Sequence, residues 1–287
     1  MIRIALPNKG RLAEPARELL SRAGLEFETR GARALQASLG EGFEALFVRA
    51  EDIPEFVADG AADLGVTGRD LVEESGRSVG RLLDLGFGRC RLAVAVREES
   101  PISRVEEIGD GERVATSFPN LTDRFFRDNG LKVRPVPVSG AAEVAPHLGV
   151  ADIIVDLVST GSTLKTNGLR EIGTVLESTA LLISRESISE DPEAGRRVDE
   201  LTAALASVLR ARDKRYLMAN VPRSALNELR RVLPGLDSPT IVDLIDSDSS
   251  VAAHAVVDRA ELYRTIADLK ALGASGILVT PIERLMP

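Results

Sequence analysis

Cysteine, tryptophan and histidine are nearly absent from this 287-residue chain, which holds one cysteine, no tryptophan and two histidines. A lone Cys90 excludes an internal disulfide and suits a reducing, cytoplasmic compartment. Cys90 itself reads as a small buried hydrophobe. Two histidines are too few for a His/Cys metal centre, so no metal ligand is assigned. His254 sits in an alternating Val/Ala stretch and reads as structural or surface; His147 falls near a helix end. No Ser-His-Asp set, Cys-His pair or Glu-x-x-His motif occurs, which weakens hydrolase readings. Positive charge is also short: 36 Lys and Arg face 44 Asp and Glu, for a net charge of −8. Nucleic acid needs a basic footprint and is not an expected partner. No apolar run approaches the roughly 18 residues of a membrane-spanning helix, so no membrane partner is expected either. The segment Met1 to Leu6 is too short, and too quickly followed by charge, for a signal peptide.

What is present is a folded, globular composition, 44% hydrophobic and 28% charged, with length for two or three domains. Up to about residue 210, short apolar strands alternate with amphipathic helices, the signature of α/β folding with a largely parallel sheet. After a strand at 2–6, Leu12, Ala16, Leu19, Leu20 and Ala23 trace one helix face closed by Gly24. A strand at 44–48 leads to Asp52, placed to cap a helix. A buried strand then runs through Asp63 and Leu64 into the Gly65–Gly68 turn and another helix. Leu92–Val96 reads as a strand, and Pro101 with the polar stretch 106–111 opens a second unit. That unit repeats the logic of the first: strand 114–116, helix 120–129, strand 133–138, helix 141–148, strand 152–158, then strand 179–184. Crossing strands near 92–97 and 179–184 would join two lobes around a cleft.

The last 75 residues change character. Strand 216–221, a helix opened by Pro222 and carrying Ala225, Leu226, Leu229, Val232 and Leu233, strand 240–245, a turn at 246–250, strand 251–257, a helix capped by Asp258 and strand 276–280 make βαββαβ. That is the split-βαβ, ferredoxin-like plan. The expected domains are 1–95 with 185–211, 96–184, and 212–287.

The richest stretch for chemistry is 152–164. An apolar strand with an acid at each end (Asp152, Asp156) empties into Ser159, Thr160, Gly161, Ser162 and Thr163. Clustered amides and hydroxyls at a strand-to-helix turn suit a phosphate monoester, and Asp156 and Asp152 suit ribose hydroxyls. The alternative is an ordinary turn with Ser/Thr caps. The segment Pro7-Asn8-Lys9-Gly10-Arg11, also between a strand and a helix, suits phosphate or pyrophosphate, or else is an Asn cap with solvated charges. Arg49 is a clamp candidate by position or a surface cation. Of Asp63 and Asp70, one reads as a helix cap and the other as a hydroxyl or amino acceptor. Ser139-Gly140 with Glu143 opens a helix with capping-box-like spacing and reads as structural. Ligands in such folds sit outside the carboxyl ends of strands, so Lys9, residues 67–70 and residues 159–163 could line one cleft.

Together the segments 7–11 (PNKGR), 63–71 (DLGVTGRDL), 115–120 (ATSFPN), 149–164 (GVADIIVDLVSTGSTL), 234–240 (PGLDSPT) and 271–279 (ALGASGILV) resemble one family across essentially the whole chain. It is that of the ATP phosphoribosyltransferases of the long, self-regulated form, which open histidine biosynthesis. The resemblance implies two lobes of the type II periplasmic-binding-protein kind and a C-terminal ferredoxin-like regulatory domain. It implies that N1 of ATP attacks the anomeric carbon of phosphoribosyl pyrophosphate, with Mg2+, releasing pyrophosphate. It implies histidine as feedback inhibitor and a homohexamer reached through a dimer. Carried over, Asp152, Asp156 and residues 159–163 would hold the phosphoribosyl group. Lys9, Gly10, Arg11, Arg49 and Asp70 would meet nucleotide or pyrophosphate. Leu236, Ser238, Thr240 and Ala274 fall in the histidine region. Met218 to Val221 lies in a variable stretch, so the partner of the inhibitor's amino group is open, and no general base is assigned. Two rivals remain at this point: a solute-binding or sensor module on the same two-lobed fold, and phosphoribosyl transfer to a free base.

Overall fold

The computed structural model of the protein describes residues 1–28, 34–245 and 247–286. Strand β1 (Ile2–Pro7) turns into α1 (Ala13–Arg22), followed by β2 (Gln36–Ser38), β3 (Phe43–Val48), α2 (Ile53–Ala58), β4 (Leu64–Gly68), α3 (Arg69–Ser75) and β5 (Gly80–Asp84). The chain continues as β6 (Cys90–Arg97), β7 (Arg113–Thr116), α4 (Pro119–Asp128), β8 (Arg134–Pro137), β9 (Ile153–Val158), α5 (Ser162–Thr166) and β10 (Leu169–Ser178). It then returns through β11 (Ala180–Ser184) to α6 (Pro192–Ala211).

Two sheets result, β2-β3-β1-β4-β11-β5 and β10-β6-β9-β7-β8. Setting aside the edge strand β2, they share one order. Three parallel strands run second-first-third (β3-β1-β4 and β8-β7-β9), then comes an antiparallel strand (β11 or β6), then a fourth (β5 or β10). This repeated order defines the two lobes as type II periplasmic-binding-protein folds. The chain passes between sheets at 85–89 and at Thr179, so the expected crossings are shifted. Residues 90–97 lie wholly in the second sheet and 180–184 wholly in the first. Each sheet is mixed rather than largely parallel, because each takes an antiparallel strand beside its parallel trio.

The helical face read from the sequence is the buried face of α1: Ala16 and Leu20 are sealed, with Leu12, Leu19 and Ala23 beside them. The turn beyond it needs Gly24, which has φ +96°. Helix α2 packs hard onto β4 because Gly65 has no side chain. A Cβ there would stand 2.5 Å from Ile53 Cγ2 and 2.9 Å from Val57 Cγ2. In the second lobe, Val94, Val96, Val114, Ile153, Val155 and Phe126 form one core layer, and Ala93, Ala95, Ala115, Ile154 and Leu164 another.

Other expectations change. The helix at 141–148 is only a 3-10 turn, Ala142–Val144, entered with Ala141 at φ +52°, a left-handed conformation uncommon for a residue other than glycine. Asp52 precedes α2 without a capping hydrogen bond. Strands β2, β5 and β10 escape a periodicity reading. In β10 two register shifts, at Glu171/Gly173 and Thr174/Leu176, break the in-out alternation that marks a strand.

The described chain forms two compact units, Met1–Asp199 and Glu200–Pro287, dividing within α6. In the second, β12 (Lys214–Pro222), α7 (Leu226–Val232), β13 (Thr240–Leu244), β14 (Ser247–Asp258), α8 (Leu262–Ala271) and β15 (Ser275–Pro281) build an antiparallel sheet ordered β13-β14-β12-β15. This is the ferredoxin-like βαββαβ arrangement, with Leu217, Val221, Leu229, Leu233, Ala253 and Leu269 in its core. Of the expected turn at 246–250, Asp246 lies outside the described residues and 247–250 belong to β14. Asp258 makes no cap; it binds Lys214 Nζ at 2.7 Å. No described helix is long and apolar enough to cross a membrane.

Candidate active site

A cavity of about 740 Å³ is lined from both lobes by residues that follow strand ends: Asn8, Lys9, Gly10 and Arg11 after β1, Arg49 after β3, Asp70 after β4. Ser117 and Phe118 after β7, Ser139 after β8 and Leu157 of β9 complete it from the second lobe. This is the position where parallel α/β sheets bind ligands, because the loops there leave their backbone groups free. Three cations, Lys9, Arg11 and Arg49, therefore share one cavity within a protein of net charge −8. Glu51, Asp52 and Asp70 line it too, so its charges are paired rather than uniformly positive, and Asp70 is turned toward Ser178 and Arg11. Asp52 lines the same cavity, which is where its side chain goes instead of capping α2.

Asp70 is 1% exposed, with its carboxylate folded back over Gly68. Its Oδ1 accepts the Ser178 hydroxyl at 2.5 Å, and its amide donates to Ser178 Oγ at 3.1 Å. Oδ2 faces Arg11 at 3.7 Å. The stretch expected as a turn at 65–68 is strand β4 itself. Asp63, which immediately precedes that strand, is structural. It accepts the Arg3 amide and the Arg185 guanidinium, both at 2.9 Å, fastening β1 to the end of β11. Cys90 is buried beside Arg11, Asp70 and Ser178, and that burial pushes its thiol up. It is inert filling at neutral pH.

A second recess of about 140 Å³ adjoins the first, with Leu157 in the wall of both. Asp156, Ser159, Thr160, Gly161, Thr163 and Glu143 surround it. Gly161 has φ +81°, the left-handed step that turns β9 sharply into α5. Thr160 and Ser162 join hydroxyls at 3.0 Å, and Ser159, Thr160, Ser162 and Thr163 are all exposed. Burial pushes the Asp156 carboxyl up. The Leu157 amide, donating to Oδ1 at 2.7 Å, opposes this, and the Glu143 charge adds to it. Glu143 makes no cap, contrary to the spacing argument, and faces the recess instead.

The structure thus gathers Lys9, Gly10, Arg11, Arg49 and Asp70 in one cavity and Asp156 with the hydroxyl loop in its neighbour. Asp152 stands apart: it precedes β9 at the far end of the strand and pairs with Arg113 at 3.2 Å. Asp152 and Asp156 are separated by about 13 Å of extended chain, too far for the two acids to meet one ribose. The C-terminal residues are not gathered within one chain. Thr240 opens β13 and Ala274 immediately precedes β15, strands at opposite edges of their sheet, while Leu236 and Ser238 are exposed in the connection before β13. Sequence reasoning missed Ser178, which carries no local signal, and set Glu143 aside as structural.

A two-lobed α/β protein with a cation-lined cavity beside a hydroxyl-rich loop, and no nucleophilic triad in either, is built as a group-transfer enzyme for phosphorylated substrates. Residues 49–207 match the family model described as ATP phosphoribosyltransferase, and 211–284 match the HisG C-terminal domain. The chain is 60% identical over 292 residues to the ATP phosphoribosyltransferase of Gemmatimonas aurantiaca, covering the whole of both chains. It is 48% identical over 288 residues to that of Methanocella arvoryzae, again over the whole of both. The ATP phosphoribosyl transferase (HisG:HisZ) complex from Thermotoga maritima superposes with a TM-score of 0.62 at 27% identity, covering 72% of this chain and 99% of that one. The chain belongs to the ATP phosphoribosyltransferase family, in the long form that carries the C-terminal domain, and is a phosphoribosyl-transferring enzyme of histidine biosynthesis.

Proposed function

We propose that the enzyme transfers the phosphoribosyl group of phosphoribosyl pyrophosphate to N1 of the ATP adenine, giving phosphoribosyl-ATP and pyrophosphate. The observation that carries this is the shared wall of the two recesses: a hydroxyl loop and a three-cation cavity meet at Leu157. The 5′-phosphate would sit against Ser159 to Thr163, and Asp156 would accept ribose hydroxyls. The anomeric carbon would then face the larger cavity, where Lys9, Arg11 and Arg49 receive polyphosphate charge. Adenine N1 brings its own lone pair, so the enzyme's contribution is positioning and stabilisation of the departing pyrophosphate.

Among the described residues no three His, Cys, Asp or Glu side chains cluster as a metal cage. The Glu143 and Asp156 pair offers the one or two carboxylates that magnesium uses beside phosphate oxygens and water. When bound, that ion would screen the pyrophosphate charge. Histidine would inhibit through the C-terminal unit. Since the residues of its region lie on opposite sheet edges, a second copy of the chain would complete the site, in keeping with a homohexamer built from dimers. That unit also argues against a free-base acceptor, because a salvage enzyme has little use for an amino-acid sensor. The enzyme would work in the cytoplasm.

The test is purified protein with magnesium and both substrates. Formation of phosphoribosyl-ATP absorbance, dependent on both and suppressed by histidine, is expected. No absorbance would end the assignment.

A further inference from the structure

Ser178 has no place in any motif and does not line the cavity, yet it holds the carboxylate that stands against one of the cavity's three cations. It is 5% exposed and ends β10, opposite Cys90 of β6, at the point where the chain leaves the second sheet for the first. It grips Asp70 twice, donating to Oδ1 at 2.5 Å and accepting the Asp70 amide at 3.1 Å. The first is the length of a charge-assisted hydroxyl–carboxylate bond. The bare backbone of Gly68 leaves room for the carboxylate in this orientation, since a Cβ there would collide with Asp70 Oδ1. The Arg69 amide bonds to Thr179 O at 2.9 Å and keeps the two segments in register.

The consequence falls on Arg11. With Oδ1 engaged by Ser178, Asp70 presents only Oδ2, and at 3.7 Å that oxygen is too far for a direct hydrogen bond to the guanidinium. Arg11 is steadied by that charge and by the neighbouring Cys90 thiol, and keeps its remaining donors for the cavity it lines with Lys9 and Arg49. We propose that Ser178 is a positioning residue for phosphoribosyl transfer: by clamping Asp70 it stops that carboxylate from closing onto Arg11, and so keeps Arg11 available to substrate polyphosphate. Without the hydroxyl, a buried carboxylate that has lost its partner turns to the nearest donor, which is Arg11, and the cavity loses a cation.

This inference rests on the reading that the cavity takes polyphosphate, and inorganic pyrophosphate is the probe. Calorimetric titration of the full-length protein with magnesium pyrophosphate is expected to show Ser178→Ala binding about five- to tenfold more weakly than wild type, the size of one charge-assisted contact. In an Arg11→Ala background the same change is expected to cost nothing further, because its effect passes through Arg11. In turnover, Ser178→Ala should raise KM with kcat retained, which a loss of folded protein would not do. Equal pyrophosphate affinity in wild type and Ser178→Ala, or losses that simply add in the double variant, overturns the proposal. If Ser178→Ala is not recovered folded, Gly68→Ala approaches the same link from the other side by pushing Asp70 off Ser178. It should weaken pyrophosphate similarly, and wild-type affinity there is the contrary result. A wild type that binds pyrophosphate without turnover sinks only the reaction; a wild type that does not bind it sinks both readings.

Discussion

Glu74 and Asn120 hold each other from opposite lobes: the Asn120 amide donates to Glu74 Oε1 at 2.9 Å, and Asn120 Nδ2 donates to the Glu74 carbonyl at 2.9 Å. The second carboxylate oxygen accepts the Leu121 amide, also at 2.9 Å. Helix α4 begins with Pro119, so its first amides with a proton to give are those of residues 120 and 121, and α3 of the other lobe takes both. Beside this bond, Glu73 accepts Arg81 at 2.7 Å and Arg124 of α4 at 3.2 Å. The seam adjoins the cavity, whose wall includes Leu71 of α3 and Phe118 just ahead of α4. Glu74→Ala is expected to lower stability by roughly 1–3 kcal/mol, with Glu74→Gln keeping one acceptor and losing less. Urea midpoints of the three proteins check this, and a midpoint unchanged in Glu74→Ala would show the seam to be idle.

The hydroxyl loop makes a separable demand. Ser159→Ala and Thr163→Ala remove one donor each from the smaller recess and nothing from the cation-lined cavity. Each should raise the KM for phosphoribosyl pyrophosphate about tenfold, the worth of one hydrogen bond to a charged group, and leave the KM for ATP within about twofold. Steady-state kinetics with each substrate varied in turn decides it. Equal losses for both substrates would put the loop in the wrong place.

Asp156 sets a pH limit. Burial raises its carboxyl above the ordinary aspartate range, and the Glu143 charge raises it further. If the ionised form accepts ribose hydroxyls, affinity for phosphoribosyl pyrophosphate is lost as pH falls through that raised value, at a higher pH than an exposed aspartate would give. Glu143→Gln removes the like charge and should move the acid limb of kcat/KM to lower pH. For stability the sign is opposite. A carboxyl with a raised folded pKa favours the fold below its unfolded value and costs stability once pH exceeds the folded one. Asp156→Asn should therefore raise Tm at pH 7 while abolishing turnover, the trade expected where a site stores strain. An acid limb that stays put in Glu143→Gln would detach the two acids.

The contrast between what was legible in the sequence and what was not follows the range of the interactions. Local signals carried far: the α1 face from Leu12 to Ala23, the turn from β9 into α5 and the βαββαβ order all rest on neighbours in the chain, whereas the glycines at 65 and 68 disguised strand β4 as a turn. The site was legible where its residues follow strand ends, as Lys9, Asp70 and Ser159 do. Partnerships formed across the fold left no trace. Ser178 meets Asp70 across 108 residues, and Glu74 caps a helix 46 residues on, where Phe118 at the cap position suggests no cap at all. Glu143 misled for the converse reason: read as a cap partner for Ser139-Gly140, it lies in a 3-10 turn, Ala142–Val144, and faces the smaller recess.

The bulged strand β10 depends on an ion pair whose pH behaviour follows from the same reasoning. Arg91 of β6 reaches along the ladder to Glu171, with Nε at 2.8 Å from one oxygen and Nη2 at 2.6 Å from the other. The pair spans both places where the β10 register slips, so it holds the strand where main-chain pairing is irregular. The Arg91 hydrogen bonds hold the Glu171 carboxyl below its ordinary value, outweighing the burial that opposes them. A depressed folded pKa means that the stabilisation is fully present above pH 4.5, the unperturbed glutamate value, and is lost as pH falls through the folded one. Glu171→Gln should therefore lower stability at pH 7 by about 0.5–2 kcal/mol, as for a forked, part-buried pair. The gap between variant and wild type should narrow below pH 4.5 as the wild-type carboxyl protonates. Thermal melts of both proteins across that range read it directly, and a gap independent of pH would mean that Glu171 contributes packing rather than charge. Because β10 ends in Ser178, loosening of this strand also acts on the Asp70 clamp, so wild-type pyrophosphate affinity should fall in the same pH window, while Glu171→Gln, lacking the carboxyl, should bind more weakly already at pH 7 and lack that step.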